Sequence, residues 1–314
     1  QGRLVYSDLL QDGDQVGLSY MTTNKSDIKN YGLDYSIALG DDGWRLGAGI
    51  GKTQYTLANT LGGFAGDAAT ANLYLAYPIV RSNKRNIDFR LDFEHVGLSD
   101  ESASPENRRL HTVRAGLTGD FQDQSLVGLV ANTTWGLGVV ASDLKYDDGR
   151  NTSTVGQQNK YTARLNRIQR IDSSGWYLDG SIYGQQATGN LDSYGKLFLG
   201  GATAVRAYAG GEVGGDTAWI GQFGLGKSWA TIYSGQNLQA SVSTFYDRGW
   251  ARLQENPTVG VTGNQDIRSG WGLEAKISQK DKFSLRTFWA EGRNGISTID
   301  GKKRRVGLSV GLAF

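Results

Sequence analysis

The sequence has no cysteine, three prolines, two histidines and one methionine among its 314 residues. Without thiols there can be no disulfide staple, thiolate nucleophile or thiolate metal ligand, and the composition suits an oxidising compartment. His95 and His111 are the only imidazoles, at a spacing that matches no metal motif, so neither a metal nor another cofactor is expected. No nucleophile is spaced to meet a base, so an enzyme is not expected either. Gly210–Gly215 is followed by no Gly-Lys-Ser/Thr, which argues against a phosphate loop. The net charge is only +2, which implies no nucleic-acid partner. No run of 18 apolar residues exists, which excludes a membrane-crossing helix but leaves open a wall built of strands.

Glycine is abundant, at 45 residues, and aromatics reach 11%. The mean hydropathy of −0.41 resembles that of a soluble protein, but alternating strands conceal their apolar face in such an average. In Ile87-Asp-Phe-Arg-Leu-Asp-Phe-Glu94, the four apolar residues fall on one face and four charges on the other. A helix would scatter them, whereas a strand separates them completely. Trp271, Leu273, Ala275 and Ile277 oppose Glu274, Lys276 and Ser278 in the same way. At the C-terminus, Val306, Leu308, Val310, Leu312 and Phe314 share one face, with Gly307, Ser309, Gly311 and Ala313 on the other. A strand apolar on one side and small or polar on the other suits a wall between lipid and water.

This pattern predicts strands at 3–10, 14–24, 29–39, 44–57, 67–80, 86–97, 108–120, 125–142, 159–171, 176–187, 217–230, 237–249, 267–279, 282–292 and 303–314. Tight turns such as Asp41-Asp-Gly43 alternate with long loops such as Ala187–Asp216. Short turns on one side and long loops on the other predict a transmembrane antiparallel β-barrel, with the short side periplasmic. Single-chain bacterial barrels have even strand numbers, so a sixteenth strand is expected at or before Arg3. Residues 1–314 read as one barrel domain with no internal boundary. The chain opens on Gln-Gly-Arg without a signal-peptide pattern, so the natural N-terminus is expected to lie upstream. A soluble propeller would repeat a blade motif, and none is visible.

Loop Ala187–Asp216 is about thirty residues, far above the usual ~4–6, and loops of that size are usually functional. It carries one arginine in Val205-Arg-Ala-Tyr208, that is Val205, Arg206, Ala207 and Tyr208. Lying outside the barrel is the simple alternative for such a loop. The sharper expectation is that it folds into the lumen and sets Arg206 against a wall carboxylate. In Gln239–Gly249, alternation turns Phe245 and Asp247 inward, and a desolvated arginine needs such a partner.

At these residues the chain resembles the TpsB transporters of two-partner secretion, within the Omp85 superfamily. Val205–Tyr208 is similar to their VRGY/VRGF tetrapeptide in the sixth extracellular loop, and Phe245-Tyr-Asp247 to their Phe-x-Asp wall motif. Gly200-Gly201 and Gly210–Asp216 look like the haemolysin and high-molecular-weight adhesin transporters, although Ala207 replaces the commoner glycine. The resemblance implies an outer-membrane pore of a Gram-negative bacterium that passes an unfolded exoprotein of adhesin or haemolysin type to the surface. That exoprotein, TpsA, would be bound mainly by POTRA domains, which with a plug helix precede the barrel in the family and are absent from this chain. Phe314 resembles the C-terminal signal read by the barrel assembly machinery, and its place would be the periplasmic rim of the lipid face. The remaining partners implied are outer-membrane lipid and lipopolysaccharide, whose phosphates the basic run Gly301–Arg305 would meet. An Omp85-type assembly factor and a passive diffusion porin are the alternatives. The adhesin-like loop argues against the first, and the short third long loop, Ala58–Gly66, against the second.

Overall fold

A computed structural model describes residues 2–22, 29–57, 64–101, 106–124, 128–149, 152–230, 238–260, 262–280 and 282–312. Phe314 lies outside these residues. The strands are β1 (Gly2–Ser7), β2 (Gln15–Thr22), β3 (Lys29–Leu39), β4 (Trp44–Leu57), β5 (Phe64–Arg81) and β6 (Arg85–Glu101). They continue with β7 (Glu106–Asp123), β8 (Ala131–Tyr146), β9 (Gly156–Arg170), β10 (Trp176–Ala187), β11 (Leu197–Phe198) and β12 (Gly214–Gly215). The last five are β13 (Thr217–Ala230), β14 (Leu238–Arg252), β15 (Gln265–Gln279), β16 (Phe283–Gly292) and β17 (Arg304–Leu312). Fifteen of them form one sheet in chain order, while β11 and β12 pair separately within the long loop. All fifteen strands predicted from alternation are present. The sixteenth is not found among the described residues, where β1 and β17 end the strand order.

Several boundaries differ from expectation, and turn chemistry explains two of the larger differences. The first strand stops at Ser7 because Asp8 adopts a left-handed φ of 59°. There the Asp8 carboxylate accepts the Gly13 N–H, and Asp14, fully buried, accepts those of Leu9, Leu10 and Gln11. Side-chain acceptors of this kind offer the backbone an alternative to the ladder. Among the described residues of the segment expected at 125–142, the strand begins at Ala131, after Gly128 turns the chain at a φ of 70°.

The chain divides into two compact units. The first holds β1–β6 with adjoining parts of β7–β9. Its registers align Leu4, Leu18, Leu33 and Ile50 in one exposed row. The opposite face carries charge, including an Arg90–Asp92 pair at 2.8 Å and an Arg114–Glu94 pair at 3.5 Å. Five apolar side chains (Ala68, Val96, Leu98, Leu110 and Leu144) form a small cluster on that face towards the loops.

The second unit holds the rest of β7–β9 and β10–β17. Phe223, Leu225, Val242, Trp271, Leu273, Val306, Leu308 and Val310 are exposed on its apolar face. On its polar face lie Asp247, Glu274, Lys276 and Arg286, together with the apolar cluster that receives the long loop. Large exposed apolar surface opposite buried charge inverts the plan of a soluble sheet, and lipid is the solvent it fits. Leu308→Arg, on the exposed face of β17, is therefore expected to cost about 2–4 kcal/mol if it sits near the midplane. Urea titration of the protein refolded into vesicles measures this, and an unchanged midpoint would count against a lipid-facing β17.

Candidate functional site

The segment from Thr188 to Asp216 is built as a clasped root carrying a tongue. At the root, the 3-10 turn Ser193–Gly195 begins at Asp192, whose side chain accepts the Tyr194 N–H at 3.0 Å. Beyond it, β11 and β12 pair through Leu197↔Gly215 and Phe198↔Gly214, which brings the two ends of the tongue together. Asp216, fully buried, accepts the N–H groups of Leu191 (3.1 Å) and Glu255 (2.9 Å) and pairs with Lys196 Nζ at 2.9 Å. Asn190 and Asn256 exchange two further hydrogen bonds, at 2.8 and 3.0 Å, with the loop after β14. A loop whose polar backbone is satisfied at its root in this way need not run over a wet surface.

Residues 199–213 form the tongue. Leu199, Ala204, Val205, Ala207 and Tyr208 are buried against Ala218, Ile220, Phe245, Ala251, Phe288 and Ala290 of the strands. Two wall side chains also hold its backbone: Tyr183 Oη donates to Thr203 O (2.9 Å) and Gln222 Nε2 to Ala204 O (2.8 Å). The fit depends on small wall residues. A β-carbon at Gly270 would lie 2.6 Å from that of Ala207, and one at Gly249 would lie 3.0 Å from Leu199 and 3.2 Å from Val205. Ala207 is thus accommodated because position 270 has no side chain.

Arg206 stands at the centre, only 7% exposed. Its Nε and Nη2 donate to the two oxygens of Asp247 at 2.9 and 2.7 Å, and its own backbone N–H adds a third bond at 3.0 Å. Nη1 donates to Glu274 Oε2 at 2.9 Å, and the guanidinium carbon lies 3.4 Å from the centroid of the Phe245 ring. A planar five-donor fork bridges two carboxylates and stacks on an aromatic face at once, which a lysine cannot do. Asp247 is fully buried. Glu274 also receives Lys276 Nζ at 2.8 Å and Arg286 Nη2 at 2.6 Å, which links the tongue to a wider ionic network on β15 and β16.

The structure thus brings together Val205, Arg206, Ala207 and Tyr208 with Phe245 and Asp247. Two further contacts were not visible in the sequence. Glu274 was legible as a charge on the polar face, but alternation cannot show that Arg206 reaches it as well. The other is a clamp at the tongue's far side. Glu212, fully buried, accepts Ser297 Oγ (2.7 Å), Thr298 N–H (2.8 Å) and Thr298 Oγ1 (3.0 Å), and faces Arg268 at 3.4 Å. Nearby, Tyr208 Oη accepts the Asn294 N–H at 3.1 Å. The tongue is therefore bound to the loop between β16 and β17 as well as to the wall.

Burial alone would push the Glu212 carboxyl up. The three hydrogen bonds and the Arg268 charge outweigh it and hold the group below the usual carboxylate range. A depressed pKa means that the clamp's contribution is complete above the ordinary glutamate pKa and is lost as pH falls through the lowered value. Acidification through that range should free the tongue, whereas Glu212→Gln should flatten the response. Because the chain has no cysteine, maleimide labelling of Ala209→Cys in the two backgrounds reads this directly. Identical pH profiles would mean that Glu212 does not tether the tongue.

A family model described as haemolysin secretion/activation protein ShlB/FhaC/HecB matches residues 1–275. The heme/hemopexin transporter protein HuxB of Haemophilus influenzae is 26% identical over 322 residues, covering 96% of this chain and 54% of HuxB. The chain thus spans about half the length of the curated relatives it matches. Among solved structures, CdiB from Escherichia coli is similar at a TM-score of 0.76 and 15% identity, covering 99% of this chain and 59% of that one. BamA from Haemophilus ducreyi lacking POTRA domains 1–3 is similar at a TM-score of 0.66 and 13% identity, covering 98% and 66%. The structural likenesses establish the fold, and the family match bears out the TpsB resemblance. This chain belongs to the haemolysin secretion/activation protein family ShlB/FhaC/HecB, the TpsB family of outer-membrane β-barrels.

Proposed function

We propose that this chain is the membrane-spanning part of an outer-membrane pore that delivers an unfolded exoprotein of adhesin or haemolysin type to the cell surface by two-partner secretion. The observation that carries this reading is the tongue held on the polar face by Arg206, Asp247 and Glu274. A buried ion pair contributes little net stability against an apolar replacement, so its value lies in fixing where the tongue sits. A surface bearing charges of both signs, among them Asp88, Arg90, Asp92, Glu94, Arg114, Arg164, Lys276 and Arg286, stays hydrated and offers an extended chain little to adhere to. Export needs no nucleotide on this route, because folding of the exoprotein outside draws the chain outward.

Val205–Tyr208, Phe245 and Asp247 are assigned to positioning the tongue, and Phe314 to recognition by the barrel assembly machinery. Residues 1–314 act as one barrel domain, held in lipid by the apolar face. The basic run Lys302–Arg305 meets lipopolysaccharide phosphates. The reading is tested by expressing the full-length protein with its candidate exoprotein and probing intact cells with protease. Surface-exposed exoprotein that depends on this protein supports export. Uptake of small solutes with no surface exoprotein would support a diffusion porin instead.

A further inference from the structure

The two histidines take no part in the tongue and share no sequence motif, yet the fold sets them side by side. His95 on β6 and His111 on β7 approach to 3.3 Å between their Nδ1 atoms, with ring centroids 4.6 Å apart and planes at 40°. Both are exposed. Their level on the wall follows from the strand pattern. On β6 the apolar face reads Ile87, Phe89, Leu91 and Phe93, and then His95, Gly97 and Ser99 towards the loop. On β7, approached from the turn, it reads Leu117, Ala115 and Val113, and then His111 and Arg109. Each histidine is the first polar side chain beyond the apolar band. Exposed ion pairs stand on the same face towards the loop ends of neighbouring strands, Lys52–Asp67 at 3.2 Å and Arg109–Asp147 at 2.7 Å. That is the level of lipid headgroups, where water and ions have access.

We propose that His95 and His111 form a two-imidazole site for a divalent transition-metal ion of the zinc, copper or nickel class, on the apolar face at the outer headgroup level. Two nitrogens bound 2.0–2.1 Å from a tetrahedral ion lie roughly 3.3 Å apart, the separation already present. Imidazole suits these metals, and water completes the coordination. Without metal, one Nδ1–H donates to the other Nδ1. On binding, the donor ring takes its other neutral tautomer, with the proton carried on Nε2, so that both Nδ1 lone pairs become ligands with no net release of a proton. Small rotations about the Cβ–Cγ bonds turn both lone pairs on to a common point, while the β6 and β7 backbones stay in place. The bound ion would cross-link the two strands at their outer ends. The bland alternative is a cross-strand pair of amphipathic rings at the interface, joined only by the hydrogen bond.

The test uses the full-length, tag-free protein in detergent micelles, with Cu²⁺ as the probe. Residues 1–314 hold no other histidine, so the electron paramagnetic resonance signal that the wild type shows and the His95→Gln/His111→Gln double variant lacks should report two imidazole nitrogens on one tightly bound copper. Loss of an outer-shell partner alone weakens metal sites about 10–100-fold, so His95→Gln and His111→Gln should each weaken binding by about tenfold or more. Each variant's folding is checked by heat-modifiable gel mobility. A wild-type spectrum with one imidazole nitrogen or none overturns the site independently of the variants. So does copper affinity that is unchanged in either folded variant.

Discussion

Arg206→Ala in the full-length protein is expected to abolish delivery of the exoprotein to the surface while leaving the strands inserted in the membrane. The three hydrogen bonds described at Asp247 all come from Arg206, and Asp247 is completely buried. Removing the guanidinium leaves that carboxylate only the backbone N–H of residue 206 as a donor, and breaking a buried pair by removing one partner costs about 3–5 kcal/mol. An exposed surface pair would be worth only about 0–1 kcal/mol. Much of the loss should appear as release of the tongue, because the tongue itself provides the burial. Glu274 keeps Lys276 and Arg286, so its side of the network survives. Asp247→Ala should abolish delivery as well, and the double variant should be no worse than either single one, since coupled partners are not additive. Arg206→Lys should not rescue, because a single ammonium cannot serve both carboxylates and the Phe245 face. Additive losses in the secretion assay would mean that the two residues act independently.

Gly272→Val should unseat the same tongue with every charged residue left in place. A β-carbon at position 272 would run into the Trp289 carbonyl oxygen and come within 2.5 Å of the Phe245 ring. Neither can move freely, since Trp289 belongs to the paired β16 backbone and Phe245 supports Arg206. Overpacking of this kind costs about 1–3 kcal/mol. The displaced ring should also tilt the guanidinium away from Asp247. Gly97→Ala is the control, since a β-carbon there meets nothing within 4 Å. Urea midpoints of the two variants, and maleimide labelling of Ala209→Cys in each, separate the outcomes. If Gly272→Val matches Gly97→Ala in both measurements, the ring and glycine contact does not hold the tongue.

Period-2 alternation alone locates all fifteen strands of the sheet and assigns the faces of β6, β14, β15 and β17. It succeeds because one face of each strand meets an apolar medium and the other a charged one, so every residue carries a record of its side. Turn residues were legible where they act locally, although Asp8 and Asp14 ended β1 sooner than hydropathy suggested. Arg206 and Asp247 stood out because a lone arginine in a glycine-rich loop and an inward carboxylate each require a partner.

What could not be read is whatever depends on distances between segments far apart in the chain. Glu274 lies 68 residues from Arg206, and Ser297 lies 85 from Glu212. Nothing in their local patterns marks them as partners. Gly249, Gly270 and Gly272 look like ordinary strand glycines until the tongue and the Phe245 ring fill the space above them. The two histidines are 16 residues apart and carry no motif, and only the pairing of neighbouring strands brings their nitrogens to 3.3 Å. The sequence by itself determined strand, face and medium, because burial against lipid or water acts on each residue separately. Tertiary structure decided the tongue's seat, its clamp and the histidine pair, because ion pairs, packing and hydrogen bonds act only over a few ångströms and exist only once the fold has brought the residues together.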